Sequence, residues 1–320
     1  MKSLLGKKIE AALSYREALG KSSKMFALSL RHLDDFCAEN YPFESHLTKA
    51  LAWDWVYSPS HTNSGRMRDC VSAVNFLGNY LRANGEDAYI FPESLAPYRY
   101  HPHPHVFTDE ELTRLFAAAD TFPISKQSPL RHKIVPVVFR LIYTCGLRPS
   151  EGRTLKRKNI NLDTGELLIT NTKFDKDRLI VMSDDMLSLC QKYESARRET
   201  AFGSASEFFF PTSKGNCYNR NDFTKMFQQC WRAANPGITT LPRVRVYDLR
   251  HRFASAVLNR WIDEKRDLYA MLPYLRAYMG HYDLSATEHY IHLLPENLMK
   301  SSGIRWEAME SIIPEVTAYD

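Results

Sequence analysis

Between residues 7 and 85 apolar side chains recur every three or four positions. Phe26, Leu30, Leu33 and Cys37 form one stripe, and Met67, Val71, Val74, Leu77 and Leu81 form another. That spacing lines up each set on one face of an α-helix, the face that packs inward. Turn-forming residues interrupt the stripes at Gly20, at Pro42, at Ser58-Pro59-Ser60 and at Asn84-Gly85. The reading is four short helices, near 8–19, 22–38, 46–56 and 64–83. Trp53 and Trp55 fall on different sides of the third, so one of them can face a partner, although core packing is the ordinary role for either.

The helical period lapses over residues 91–106. Pro92, Pro97, Pro102 and Pro104 each remove an amide donor and hold the preceding residue extended, which describes an interdomain linker. His101, His103 and His105 alternate with the later prolines, but no carboxylate or cysteine at ligand spacing supports a metal site there. Thr108-Asp109-Glu110-Glu111 then opens a new helix as a capping box. An apolar helix over 132–145, carrying Pro136, stops at Gly146, and a short helix begins near Ser150. Residues 166–171 and 178–182 are rich in β-forming side chains, and the short stretch between them makes a hairpin. Helices resume near 184–199, 220–234, 247–261 and 268–280, with another around 285–293. Trp306, Met309, Ile312 and Ile313 give the C-terminal tail a helical apolar face. The expected fold is mainly α with a small antiparallel sheet: an all-helical domain over 1–91, a linker over 92–107, an α+β domain over 108–300 and a tail helix over 301–320.

Composition agrees with a folded, two-domain chain. Its 320 residues are 44% apolar, 12% aromatic and 25% charged. No run approaches the roughly 20 apolar residues that a membrane helix needs, and the basic N-terminus lacks the apolar segment of a secretory signal. Cytoplasmic residence with no membrane partner is the default expectation. Cys37, Cys70, Cys145, Cys190, Cys217 and Cys230 are too scattered for a zinc or redox motif and read as buried, reduced thiols. The net charge of +5 permits a nucleic-acid partner, but residues 1–100 carry 12 basic and 11 acidic side chains and the rest 30 and 26. Any contact with DNA therefore depends on where charges are placed rather than on a basic arm.

Several residues carry candidate chemistry, and each has an ordinary alternative. Arg148 sits between the helix-ending Gly146 and Pro149-Ser150, where a planar guanidinium can meet two oxygens of a phosphodiester; taken alone, it reads as a surface pair with Glu151 before it reads as a functional residue. Glu151 can return to the helix start or hold Arg148. Arg250 follows Asp248, a possible helix cap. Lys173, at the hairpin tip, can reach into a groove and donate a proton to a leaving oxygen, or simply face solvent. His281 follows Gly280 at a helix end, and nine positions later comes Tyr290, one of seventeen tyrosines.

Their order is more specific than any one of them. Thr144-Cys145-Gly146-Leu147-Arg148, a lysine in a hairpin, Asp248-Leu249-Arg250-His251, Met279-Gly280-His281 and then Tyr290 resemble the tyrosine recombinase (phage integrase) family, over about 108–295. The helical first domain looks like the core-type DNA-binding domain that members carry ahead of the catalytic one. The resemblance implies a site-specific recombinase or integrase that cuts one DNA strand by attack of a tyrosine hydroxyl, leaving a 3′-phosphotyrosine and a free 5′-hydroxyl. On the matching positions, Tyr290 is the nucleophile, Arg148 and Arg250 are the clamp arginines, Lys173 is the general acid, His281 assists at the phosphate and Glu151 supports the first arginine. Lys176, on the same turn, competes with Lys173 for its role. The implied partners are double-stranded DNA and three further copies of the chain in a tetrameric synapse, and the tail is the segment expected to dock on a neighbour.

No cofactor or metal is implied. The phosphotyrosine conserves the bond energy, and two guanidiniums, a lysine and a histidine provide the positive field. One position departs from the family pattern: Tyr247 stands where a histidine is usual, three residues before Arg250. A neutral phenol donates a hydrogen bond to phosphate but accepts protons less readily than imidazole. Two other readings stay open, a type IB topoisomerase, which reseals the original strand, and a DNA-binding architectural factor with weakened catalysis, for which Tyr247 is the supporting feature.

Overall fold

The computed structural model describes residues 1–60, 64–93, 104–170 and 177–280. The chain divides into two compact units, Met1–Pro102 and His103–Asp320.

The first unit is built from α1 (Gly6–Ala18), α2 (Lys24–Asn40), α3 (Lys49–Val56) and α4 (Ser64–Ala83), each within a few residues of the helix read from periodicity. Leu30, Leu33 and Cys37 of α2 and Val71, Val74, Leu77 and Leu81 of α4 are buried in one core with Ile9, Leu51 and Trp55. Phe26 and Met67, at the starts of the two stripes, pack on its edge. Fully burying one such leucine or valine contributes roughly 2 kcal/mol, so the stripes are what hold this unit together. Trp55 enters the core, whereas Trp53 lies at its margin, stacked on Tyr57 at 4.9 Å and donating its indole N–H to the Tyr89 hydroxyl at 3.0 Å. The Asp34 carboxylate is sealed inside, where it accepts the amide of Ser3 at 3.0 Å and the Ser3 hydroxyl at 2.6 Å and so pins the N-terminus.

The second unit contains α5 (Asp109–Asp120), α6 (Arg131–Thr144), α7 (Pro149–Arg153), the strands β1 (Glu166–Ile169) and β2 (Arg178–Val181), then α8 (Asp184–Arg198), α9 (Ala201–Ala205), α10 (Arg220–Ala233), α11 (Val246–Asp263) and α12 (Leu268–Met279). The strands pair antiparallel, with Leu168 opposite Leu179, which turns Leu167, Ile169 and Ile180 inward. The unit is therefore mainly helical with a two-stranded antiparallel sheet, as the sequence pattern predicts. α6 is its axis. Ile134, Val135, Val137, Val138, Phe139, Leu141 and Ile142 are all buried, and α5, α7, α8, α10 and α11 pack around it. Pro136 lies within α6 without ending it.

The capping box at Thr108 forms, with the Glu111 amide 3.2 Å from Oγ1 and the Glu111 carboxylate 3.0 Å from the Thr108 amide. His105, which falls in the expected linker, bonds the same carboxylate at 2.9 Å and packs edge-on to Phe107. The end of that proline-rich stretch thus belongs to the second unit, while His101 and His103 lie outside the described residues. Five of the six cysteines are buried and unbridged, and Cys217 is half-buried. Burial pushes the Cys37, Cys190 and Cys230 thiols up to about 12. Among the described residues no helix is long and apolar enough to cross a membrane. The helix expected near 285–293 and the tail over 301–320 lie outside the described residues.

Candidate active site

Arg148 owes its position to a tight reversal after α6. Gly146 takes a left-handed conformation at φ 58° against the Phe253 ring, where an added Cβ would come within 2.5 Å of a ring carbon. Only glycine fits both demands. Leu147 is buried, and Arg148 is extended, as a residue before proline must be. Pro149 then starts α7, and Glu151, at its third position, accepts the Arg148 amide at 2.8 Å and its guanidinium Nη1 at 2.7 Å. The sequence offered two roles for Glu151, returning to the helix start or holding Arg148, and the carboxylate performs both.

It also has a third partner, which sequence reasoning missed. Arg178, the first residue of β2, makes a two-pronged pair with Glu151 at 3.0 and 2.7 Å and donates from Nε to the Tyr278 carbonyl at 2.8 Å. Its side chain is only 8% exposed. A signal was present: strand alternation puts Arg178 on the same face as Ile180 and Met182, and an inward charge at that point requires a buried carboxylate.

Arg250, the fifth residue of α11, completes the group. It is fully buried; Nη1 donates to the Gly146 carbonyl and Nη2 to the Met279 carbonyl, both at 2.6 Å, and Glu151 lies 3.9 Å away. Arg148 Nη2 in turn donates to the Gly280 carbonyl. Three guanidiniums, from the cap of α7, from β2 and from α11, thus surround one carboxylate and reach the last carbonyls of α12, the negative end of its dipole. Burial alone would raise the Glu151 carboxyl; hydrogen bonding and charge from Arg178, then from Arg148, outweigh it and hold the group at about 2. Three cations against one anion leave the cluster positively charged, the condition for receiving phosphate.

Asp248 does not cap α11 as expected. Arg245 occupies the cap position, and Asp248, three residues in and fully buried, accepts its amide at 2.7 Å and its guanidinium at 2.8 Å. The same arginine-to-acid arrangement opens α7. Tyr247 is half-buried, its ring centroid 5.0 Å from that of His251. At the end of α12, Gly280 adopts φ 64° close to Arg178, whose Nη1 an added Cβ would approach to 3.0 Å. α12 is fastened to α11 by a separate apolar cluster that includes Leu258, Ile262, Leu272 and Leu275. Arg148, Glu151 and Arg250 therefore converge, with Tyr247 on the same helical turn as Arg250. Lys173, Lys176, His281 and Tyr290 lie outside the described residues.

Comparison with known proteins gives consistent matches. The profile of the phage integrase family matches residues 105–297. An integrase/recombinase of Sinorhizobium fredii, y4rB, is 31% identical over 82% of this chain and 84% of its own length. The tyrosine recombinase XerD of Vibrio cholerae is 28% identical over 89% of this chain and 86% of its own. Among solved structures, the Tn1549 transposon integrase in complex with transposon right end DNA superposes with a TM-score of 0.63 at 13% identity, covering 97% of this chain and 99% of that one. At such identity this last likeness speaks for the fold.

Proposed function

The chain belongs to the phage integrase family and is a site-specific recombinase of the tyrosine type, and from that premise we propose how its own residues cut and rejoin DNA. The Tyr290 hydroxyl gives up its proton to solvent and attacks the scissile phosphorus, the bond from phosphorus to the 5′ oxygen breaks, and the Lys173 ammonium supplies the proton that the departing 5′ oxygen takes up. Arg148 and Arg250 bind the non-bridging oxygens, on which charge grows in the transition state, and His281 donates to the same phosphate. Rejoining is the reverse: a 5′-hydroxyl attacks the 3′-phosphotyrosine and Tyr290 leaves, with no external energy source. The helical first unit grips the duplex beside the cut, and four protomers hold two duplexes in a cytoplasmic synapse.

One observation carries this reading. Arg148 and Arg250, 102 positions apart in the sequence, share Glu151 and direct their remaining donors to consecutive carbonyls, Met279 and Gly280, immediately before His281. Phosphate oxygens make the same kind of acceptor for those donors as the carbonyls do, so substrate can take their place without leaving the arginines unpaired.

The test is covalent capture on a nicked duplex made from the element ends that flank the gene. Wild-type protein forms an adduct stable to denaturant and Tyr290→Phe forms none; an adduct with the phenylalanine variant would remove Tyr290 from the nucleophile's place. The reading as a DNA-binding factor with weakened catalysis draws on Tyr247, whose phenol faces His251. Tyr247→His restores the usual imidazole and raises the cleavage rate by up to about tenfold. Site-specific binding with no adduct from either form would favour the architectural factor instead.

A further inference from the structure

Beyond the clamp itself, we propose that Arg178 is a positioning residue of the strand-cleavage reaction, locking the Glu151 carboxylate and the end of α12 into one rigid frame on which the Arg148 guanidinium is aimed. The proposal rests on the catalytic reading above and deepens it. Arg178 grips Glu151 through both terminal nitrogens and, through Nε, the Tyr278 carbonyl of α12, so it engages both carboxylate oxygens where Arg148 engages one with its side chain. The partners lie 27 and 100 positions away in the sequence, so the contact joins β2, α7 and α12, three elements that nothing local holds in register.

The geometry leaves Arg178 no route to a substrate of its own. Its side chain is 8% exposed, all three of its nitrogens are committed, and Gly280 closes over it. Arg148, by contrast, is 17% exposed and keeps only one nitrogen on Glu151. The division of labour follows from the carboxylate's two oxygens. Oε2 takes Arg178 and the Arg148 amide, and Oε1 takes Arg178 and the Arg148 side chain, so Arg178 fixes the plane of the carboxylate and the carboxylate fixes the rotamer of Arg148. A reacting group displaced by about 1 Å loses on the order of a hundredfold in rate.

Single-turnover adduct formation on the nicked duplex reads this out. Arg178→Met is expected to cleave about a hundredfold more slowly and Arg178→Lys about tenfold, because a lysine restores charge but neither the fork nor the bond to Tyr278. Site affinity, set by phosphate contacts elsewhere, stays near wild type. Two further readouts separate positioning from a general loss of structure. If Arg178 acts through Glu151, the double variant Arg178→Met with Glu151→Gln loses no more than the worse single variant. The charged groups facing Glu151 are Arg148 at the cap of α7, Arg178 on β2 and Arg250 on α11. With Arg178 gone, burial raises the carboxyl, and cleavage by Arg178→Met falls more steeply on acidification than that of wild type or Arg178→Lys.

Wild-type rates in both single variants, or losses that add in the double variant, would overturn the proposal. Should Arg178→Met not fold, Arg178→Lys decides alone, by its rate per folded molecule. An adduct formed by Tyr290→Phe would sink the nucleophile assignment and leave the Arg178 comparison measurable.

Discussion

Glu151 and Glu194 make an instructive pair. Each carboxylate is nearly sealed from water, at 7% and 6% exposure, and each gathers three arginines: Arg148, Arg178 and Arg250 in one case, Arg157, Arg197 and Arg198 in the other. The difference lies in where the arginines come from and what their spare donors touch. Arg197 and Arg198 are three and four residues from Glu194 on the same helix, and the spare donors of this group end on the carbonyls of Ser206 and Ile160. Around Glu151 the arginines stand at the cap of α7, on β2 and on α11, and the spare donors converge on Tyr278, Met279 and Gly280. A ringed carboxylate is thus not in itself a sign of a reactive centre. What sets the proposed site apart is that several elements aim at a single further place. Cavity size misleads here: a cleft of about 590 Å³ opens beside Glu194, but an enzyme that acts on a duplex needs a surface that receives backbone phosphate, not a pocket that encloses a ligand.

The comparison breaks first if the two clusters respond alike to loss of an arginine. Arg148→Ala is expected to slow adduct formation by about a thousandfold, the scale for removing a donor to transition-state charge. Arg157→Ala should leave the rate per folded molecule unchanged in the same single-turnover assay, and an equal loss would erase the distinction. At Glu194 the effect belongs to stability. Glu194→Gln leaves Arg197, 3% exposed, without its anion and should cost about 3 kcal/mol in chemical denaturation, while cleavage scales only with the folded fraction.

The smallest effect is in acid. The Glu151 carboxyl is held at about 2 against an ordinary 4.5, so its folded form binds protons less readily than its unfolded form. Its stabilisation is complete above the ordinary value and drains away as pH falls toward 2, with about 2 kcal/mol gone by about pH 3. Glu151→Gln should flatten that part of the profile, measured as urea midpoints across a pH series. An unchanged slope would mean that the three arginines do not govern this carboxylate.

Most of the fold was legible because helices of three or more turns repeat their period often enough to be read. The four helices of the first unit and α6, α8, α10, α11 and α12 announce themselves in this way, and α5 by the capping box at its start. The five residues of α9 and the 3-10 turn at Arg157–Asn159 do not, since neither completes a period. Of the candidate site, motif order singled out Arg148, Glu151 and Arg250, which the fold brings together, and the spacing of three offered Glu151's bond to Arg148. Arg178 was not, because its strand reads as an apolar run and its partner lies 27 positions upstream across a turn of the fold. Asp248 was placed one role away, as a cap rather than as the partner of one, because the helix starts at Val246, three residues before the start that an Asp248 cap would set.

Gly146 and Gly280 both use their carbonyls to receive an arginine, and both sit at positive φ where a side chain would strike Phe253 or Arg178. Any single-base change that alters the meaning of a glycine codon either installs a side chain or stops translation. Both positions therefore resist stepwise drift: every one-nucleotide step away from glycine strains the backbone whose carbonyls hold the proposed clamp, and a lineage exploring new DNA sites does so more cheaply elsewhere on the molecule.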